Sequence, residues 1–272
     1  MLAMMAFASN SLLCRFALKQ TSIDAASFTF IRIFSGAVVL WLIMRMHQRA
    51  EKAPLQGNWL SALALFAYAA AFSFAYISLS AATGALLLFG AVQATMILWG
   101  LRKGESLHTR QLFGLTLALA GLVALLLPGL SAPPIGGATL MLAAGVAWGI
   151  YSLRGRGTSD AISATTGNFL RAVPLAVLLS IAFISRMRGD AAGIAYAVLS
   201  GAIASGVGYV IWYTALPSLK AASAATVQLA VPVLTAAGGI LLLGEPLTLR
   251  FLLASVAVLG GIALVVIAPQ PR

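Results

Sequence analysis

Apolar residues run along this chain in long unbroken blocks, and polar residues are confined to the short links between them. The blocks predict ten helices, at about residues 1–18, 26–45, 59–79, 82–101 and 108–127, then 137–153, 163–185, 191–215, 220–243 and 247–267. A helix that crosses hydrocarbon needs about 20 mostly apolar residues, and the blocks meet that length. They are continuous and do not alternate, which excludes β-barrel spans. Thr21-Ser22-Ile23-Asp24 offers N-cap candidates for the second block, and Pro128-Gly129 closes the fifth. The stretch 45–58 is the most polar of the links, whereas the link leading to Gly136 carries no charge. The pattern predicts an all-α membrane protein.

The blocks also repeat. Residues 143–171 carry the pattern of residues 4–32: an apolar helix ending at an arginine, a polar link, then a helix with an arginine near its start. Arg154 follows Arg15 by 139 positions, and Arg171 follows Arg32 by the same 139. Tyr76-x-x-Leu79 recurs as Tyr213-x-x-Leu216, and Gly104-Glu105-x-Leu107 as Gly244-Glu245-x-Leu247. Arg110 and Gly121 recur as Arg250 and Gly261. Residues 1–128 and 137–268 are therefore expected to be two copies of one five-helix unit. Five is odd, so the second copy must enter from the opposite face of the membrane. The expected architecture is an inverted repeat around a central cavity, a form suited to alternating access. Locally, the paired glycines can end helices in a left-handed C-cap. The glutamates are then expected at the positive ends of the next helices, with Pro246 in a first turn.

Composition agrees with the pattern. The chain of 272 residues is 61% hydrophobic and 8% charged, with a mean hydropathy of +1.00; a soluble domain is about 25% charged. A net charge of +11 would suggest nucleic acid in a soluble protein. Here the basic residues sit in links, as membrane-topology signals, and no nucleic-acid partner is expected. With the N-terminus inside, the inner ends carry Arg45, Arg49, Lys52, Arg102, Lys103, Arg110, Arg154, Arg156, Lys220 and Arg272. The outer ends carry Arg15, Lys19, Arg186, Arg188 and Arg250. Both termini are expected in the cytoplasm, although the 186–190 link runs against the rule. Met1 leads straight into an apolar block without a basic n-region, so no cleavable signal is expected and the chain is expected to start inside its first helix. Cys14 stands alone, which excludes an intrachain disulfide.

Two five-helix units, the segments Ser27-x-x-x-x-Arg32 and Thr166-x-x-x-x-Arg171, and the paired Gly-Glu-x-Leu turns resemble the drug/metabolite transporter superfamily, in its ten-helix branch of paired EamA units. The resemblance covers essentially the whole chain. It implies a carrier of the bacterial inner membrane, often an exporter of metabolites or amino acids. It also implies a central cavity lined mainly by the first, third, fourth, sixth, eighth and ninth helices. Within the superfamily the chain is most similar to amino-acid exporters, including the aromatic-amino-acid type; a multidrug exporter differs only in its substrate. Lipid and a small-molecule substrate are the implied partners, with no obligate protein partner.

Candidate binding residues follow from spacing. Tyr68, Phe72 and Tyr76 recur every four residues, and Ser205, Tyr209 and Trp212 share one helical face with Tyr213 at its edge. Trp148 and Tyr151 add a third set. Such rings form either an apolar cage with polar tips or ordinary interhelical packing. Trp59 and Trp99, near helix ends, are assigned to the interfacial belt. Gln93, Gln228, Asn10 and Asn168 place amides within apolar spans, where each needs a helix or ligand partner. Pro232 frees the carbonyl of Gln228 and is expected to open the helix there. Arg32 and Arg171 are basic residues inside spans, each costing roughly 2.5–3.5 kcal/mol unless its head snorkels to the interface. They bind a substrate carboxylate or serve the structure.

The absences narrow the chemistry. The six acids, Asp24, Glu51, Glu105, Asp160, Asp190 and Glu245, fall in links or at helix ends, as do His47 and His108. The small four-helix cation exporters of the same superfamily use a glutamate in their first helix, and this chain has none there. Carboxylate-based proton coupling is therefore not expected, and uncoupled facilitation is the simplest mechanism. There is no Gly-x-x-x-x-Gly-Lys-Ser/Thr loop and no His-Glu-x-x-His. No catalytic residue, cofactor or metal site is expected. The remaining alternative is a non-transporting scaffold or sensor whose bundle only packs.

Overall fold

In the computed structural model, residues 1–47, 55–104, 109–127, 129, 132–155, 158, 160–215 and 228–267 are described. Among them there is no strand. The helices are α1 (Leu2–Gln20), α2 (Ala25–His47), α3 (Trp59–Tyr76), α4 (Ala81–Arg102), α5 (Thr109–Leu126), α6 (Ile135–Gly155) and α7 (Ala161–Ala182). After a 3₁₀ turn at Ile184–Arg186, α8 runs on through Ala191–Val198, the π-helical Leu199–Val207 and Gly208–Ala215. The chain ends in α9 (Ala230–Leu243) and α10 (Leu249–Ile267). Seven of these, α2 to α8, are long and apolar enough to cross a membrane, and α9 and α10 are shorter apolar helices. The first expected span, α1, carries Ser9, Asn10, Ser11, Arg15 and Lys19 and is more polar than those seven.

Side chains in the links start the helices. Asp24 Oδ1 accepts from the N–H groups of Ala26 and Ser27 at 3.0 and 2.9 Å. Asn58 and Asp160 each accept from the N–H three residues on, at 2.9 Å; these donors have no partner within their own helix. At the other end of α9, Gly244 adopts φ +62 and closes the helix as the sequence suggested.

Most helices find a partner from the other half of the chain. α5 packs on α10, α2 on α7 and the π segment of α8, α3 on α6, α4 on α6 and α9, and α1 on α8 and α9. Helices α1–α5 and α6–α10 therefore interleave. In lipid, close packing between helices depends on small residues that let backbones approach. Gly114 and Gly261 do this for α5 and α10: a Cβ on either would collide with the carbonyl oxygen of the other. Gly201 does it for α8, where a Cβ would strike the carbonyl oxygen of Arg32 and the hydroxyl of Ser35 on α2. Large apolar side chains such as Phe113, Leu241 and Val256 are exposed on the outer faces. Trp59 is 60% exposed at a helix end, the placement expected of a belt residue.

Candidate functional site

α3 runs through the site from end to end. Its Tyr68 and Phe72 line a small central cavity with Phe7, Asn10 and Ser11 of α1, Leu88 and Phe89 of α4, Trp148 of α6 and Tyr209 of α8. The rings meet edge to face or tilted. Trp148 lies 4.8 Å from Tyr68 and 5.0 Å from Tyr209 between ring centroids, and Phe7 lies 5.8 Å from Tyr209 and 6.1 Å from Trp212. The cavity holds about 20 Å³, room for about one water. The centre is closed in this conformation.

Beside the rings runs a chain of buried polar groups. Ser200 Oγ donates to Asn10 Oδ1 at 2.6 Å, and Asn10 Nδ2 donates to the Tyr68 hydroxyl at 3.2 Å. Arg32 Nη2 donates to the same hydroxyl at 3.0 Å, and Arg32 Nε to Ser205 Oγ at 3.3 Å. The chain leaves α8 at Ser200, crosses α1, α3 and α2, and returns to α8 at Ser205. Both serines belong to the π segment, a form of helix that recurs at functional sites. The Arg32 guanidinium also stacks over the Tyr68 and Phe72 rings, 5.1 and 4.9 Å from their centroids. Its Nη1 has no hydrogen-bond partner. Arg32 is only 2% exposed. Its head does not snorkel to the surface but stays among Tyr68, Phe72 and Ser205.

The two ends of α3 differ. Beyond Tyr76, Arg15 Nη1 donates to the carbonyls of Tyr76 and Ile77 at 2.8 and 3.2 Å, and Nε donates to Glu245 Oε1 at 3.3 Å. Both oxygens of Glu245 accept from Ala81 N–H, at 3.0 and 2.8 Å. Glu245 was expected at the start of the last helix. Instead it occupies the start of α4, where the same helix-end chemistry applies across the bundle. Thr248 caps α10, with Phe251 N–H donating to its hydroxyl at 3.1 Å, and Pro246 stands before the helix. At the opposite end of α3, Arg154 donates to Ser61 Oγ and Asn58 Oδ1, both at 3.0 Å. These residues, with Tyr151, Thr165, Asn168 and Tyr213, line a polar cavity of about 120 Å³.

The expected site residues thus separate into groups. Asn10, Tyr68, Phe72, Trp148 and Tyr209 share the central cavity, with Trp212 against Phe7 and with Arg32 and Ser205 in the adjoining polar chain. Tyr151 and Tyr213 line the Arg154 cavity. Tyr76 is fully buried, and its hydroxyl donates to the Ala81 carbonyl at 3.3 Å. Gln93 lines a pocket of about 10 Å³ with α5 and α10, away from the centre. Gln228 is half-buried just before α9 begins at Ala230. Arg171, the sequence counterpart of Arg32, donates to the carbonyls of Gln56 and Gly167 at 3.1 and 2.9 Å and ties a link to α7. Sequence reasoning passed over Phe7, Ser200, Arg15 and Arg154 as site residues. Phe7 could have been found from its spacing of three to Asn10. Glu105 and His108 lie outside the described residues. Among the described residues no group of His, Cys, Asp or Glu is placed to hold a metal.

Interleaved apolar helices around a polar and aromatic centre define a multi-pass membrane protein, and the comparisons place it further. Residues 135–267 match the EamA-like transporter family. An uncharacterised protein of Pseudomonas aeruginosa is 59% identical over 269 residues, covering 99% of this chain and 93% of that one. An uncharacterised transporter of Archaeoglobus fulgidus is 27% identical over 253 residues, covering 86% of this chain and 84% of the relative. One solved crystal structure, 17% identical, shares the fold with a TM-score of 0.65 over 97% of this chain and 96% of its own. The second half of the chain is thus similar to the EamA-like transporter family.

Proposed function

We propose that the protein is a carrier that exports small amphipathic metabolites, aromatic or other neutral amino acids among them, by alternating access and without ion coupling. It acts in the bacterial inner membrane with both termini in the cytoplasm, and it transports rather than catalyses. The observation that carries this reading is the difference between the two ends of α3. One end is closed by the Arg15–Glu245 pairing, the other holds a polar cavity, and an aromatic centre lies between them. Arg15 and Arg154, equivalent in the repeat, bind at opposite ends of α3, which supports two inverted halves, 1–128 and 137–268. The substrate passes the Arg154 cavity, enters among Tyr68, Trp148 and Tyr209 as the halves rock, and leaves past Arg15 when that clasp parts.

The closed centre favours a second reading, a scaffold that only packs. Flux separates the two. Purified protein in liposomes should take up labelled aromatic amino acids faster than empty liposomes, and Tyr209→Ala or Trp212→Ala should slow that uptake. Protein-free rates across amino acids and lipophilic cations alike would leave the scaffold. Wild-type rates in folded variants would remove those rings from the path.

A further inference from the structure

The buried guanidinium of Arg32 is incompletely compensated. It spends Nε on Ser205 and Nη2 on Tyr68, both neutral oxygens, and leaves Nη1 without a partner. No carboxylate pairs with it among the described residues, whose ion pair is Arg15 with Glu245. A buried charge that lacks a counter-ion is costly, and a bundle built only for packing gains nothing from keeping one. The guanidinium carbon stands 5.1 and 4.9 Å from the ring centroids of Tyr68 and Phe72, two of the rings that line the central cavity. A guanidinium offers a planar fork of donors that matches a carboxylate.

From this geometry we infer that Arg32 is the counter-ion of a substrate carboxylate, so that the carrier takes amphipathic monocarboxylates with an aromatic or apolar body and does not require an ammonium group. The second half of the statement has its own support. The described acids, Asp24, Asp160, Asp190 and Glu245, all lie outside the helices. Asn10 Oδ1 already accepts from Ser200. The faces of Tyr68 and Phe72, which could otherwise hold a cation, are taken by Arg32 itself. An ammonium in this chamber would meet a like charge and no carboxylate. A carboxylate would gain charge-assisted hydrogen bonds, and the apolar remainder would replace the ring contacts that now close the centre. Tyr68 and Ser205 hold the fork in place and act as positioning residues.

This assignment presupposes the carrier reading for flux but not for binding, so the test has two arms. Three matched probes are used at neutral pH: phenylalanine, N-acetylphenylalanine, which keeps only the carboxylate, and phenylalanine amide, which keeps only the amine. The first arm measures thermal stabilisation of the purified full chain in detergent. The second measures flux into liposomes above the protein-free rate. Phenylalanine and N-acetylphenylalanine should stabilise the wild type and carry flux, and the amide should do neither. Arg32→Gln should weaken carboxylate binding about tenfold or more, with Arg32→Lys in between. If Arg32→Gln does not fold, the comparison of N-acetylphenylalanine with the amide on the wild type still decides. Stabilisation by the amide equal to that by N-acetylphenylalanine overturns the assignment, as does a folded Arg32→Gln with unchanged carboxylate binding. So does the absence of any carboxylate-dependent stabilisation, whatever the flux. Carboxylate binding without flux of any probe sinks the carrier and leaves the anion site standing. Flux of the amide alone does the reverse.

Discussion

Arg15 and Glu245, 230 residues apart in the chain, meet with Nε 3.3 Å from Oε1 at one end of the bundle. The pair joins the end of α1 to the link before α10. Glu245 adds the start of α4 through Ala81, and Arg15 adds the end of α3 through Tyr76 and Ile77. Four helices thus depend on one largely buried pairing. Removing one partner of such a pair costs more than the pair contributes, because the other charge is left behind. Arg15→Ala should lower stability by about 3 kcal/mol, measured by thermal unfolding in detergent. It should also speed labelling of a cysteine placed at Ser11, buried in the wall of the central cavity, by a membrane-impermeant maleimide. Unchanged labelling would show that the pair does not hold this end shut.

Tyr68 carries the polar chain between Asn10 and Arg32 on one hydroxyl. Tyr68→Phe keeps the ring and strands two buried donors, one of them charged. The expected loss is roughly 2–3 kcal/mol, read from the same unfolding measurement. Phe72→Leu, next along the cavity wall and without a hydrogen bond, should lose less than Tyr68→Phe if the hydroxyl is what matters.

Gly114 and Gly261 let α5 and α10 touch backbone to backbone. Gly114→Ala places a Cβ 2.5 Å from the Gly261 carbonyl oxygen, so the helices must part. The cost should be about 1–3 kcal/mol, the range for overpacking. Neither glycine lines the central cavity or the Arg154 cavity, so flux at a temperature well below unfolding should be preserved.

At one end, two links exchange caps. Asp24 caps α2 and accepts from Arg188 N–H at 2.9 Å, while Asp190 caps α8 and accepts from Ser22 N–H at 3.3 Å. Partial burial pushes the Asp24 carboxyl up, but hydrogen bonds from Ser27, Arg188 and Ala26 outweigh it and hold it below its usual value. The Gly193 and Ser22 N–H groups do the same for Asp190. A carboxyl depressed in the folded state contributes stability that is present above its unfolded value, near 3.9, and is lost as pH falls through the folded value. Melting temperature should therefore drop between about pH 5 and pH 2. Asp24→Asn should flatten that drop, and an equally steep fall in the variant would assign it to other groups.

The described carboxylates all lie outside the helices. No proton carrier of that kind stands in the path, so flux of a neutral amino acid should not depend on an imposed pH gradient. Liposomes with and without the gradient, at equal external pH, test this; strict dependence on the gradient would require a coupling group from elsewhere.

The sequence alone determined the membrane class, the positions of the helices and the rings that share a face. These are local properties: hydropathy over a window of about 20 residues and side-chain spacing along one helix. That is why Tyr68, Phe72, Trp148 and Tyr209 could be named in advance. The partner of each side chain was not legible in this way. Arg32 and Arg171 occupy equivalent places in the repeat, yet one is buried with a vacant nitrogen and the other ties the link before α3 to α7. Glu245 read as the cap of the next helix and caps α4 instead. Gln93 read as an amide in need of a helix or a ligand partner, and it lies beside α5 and α10. The close packing of interleaved helices set all three outcomes. It decides which face of a helix meets the centre and which distant group has a carboxylate or a guanidinium within reach, and no local pattern in the chain records that.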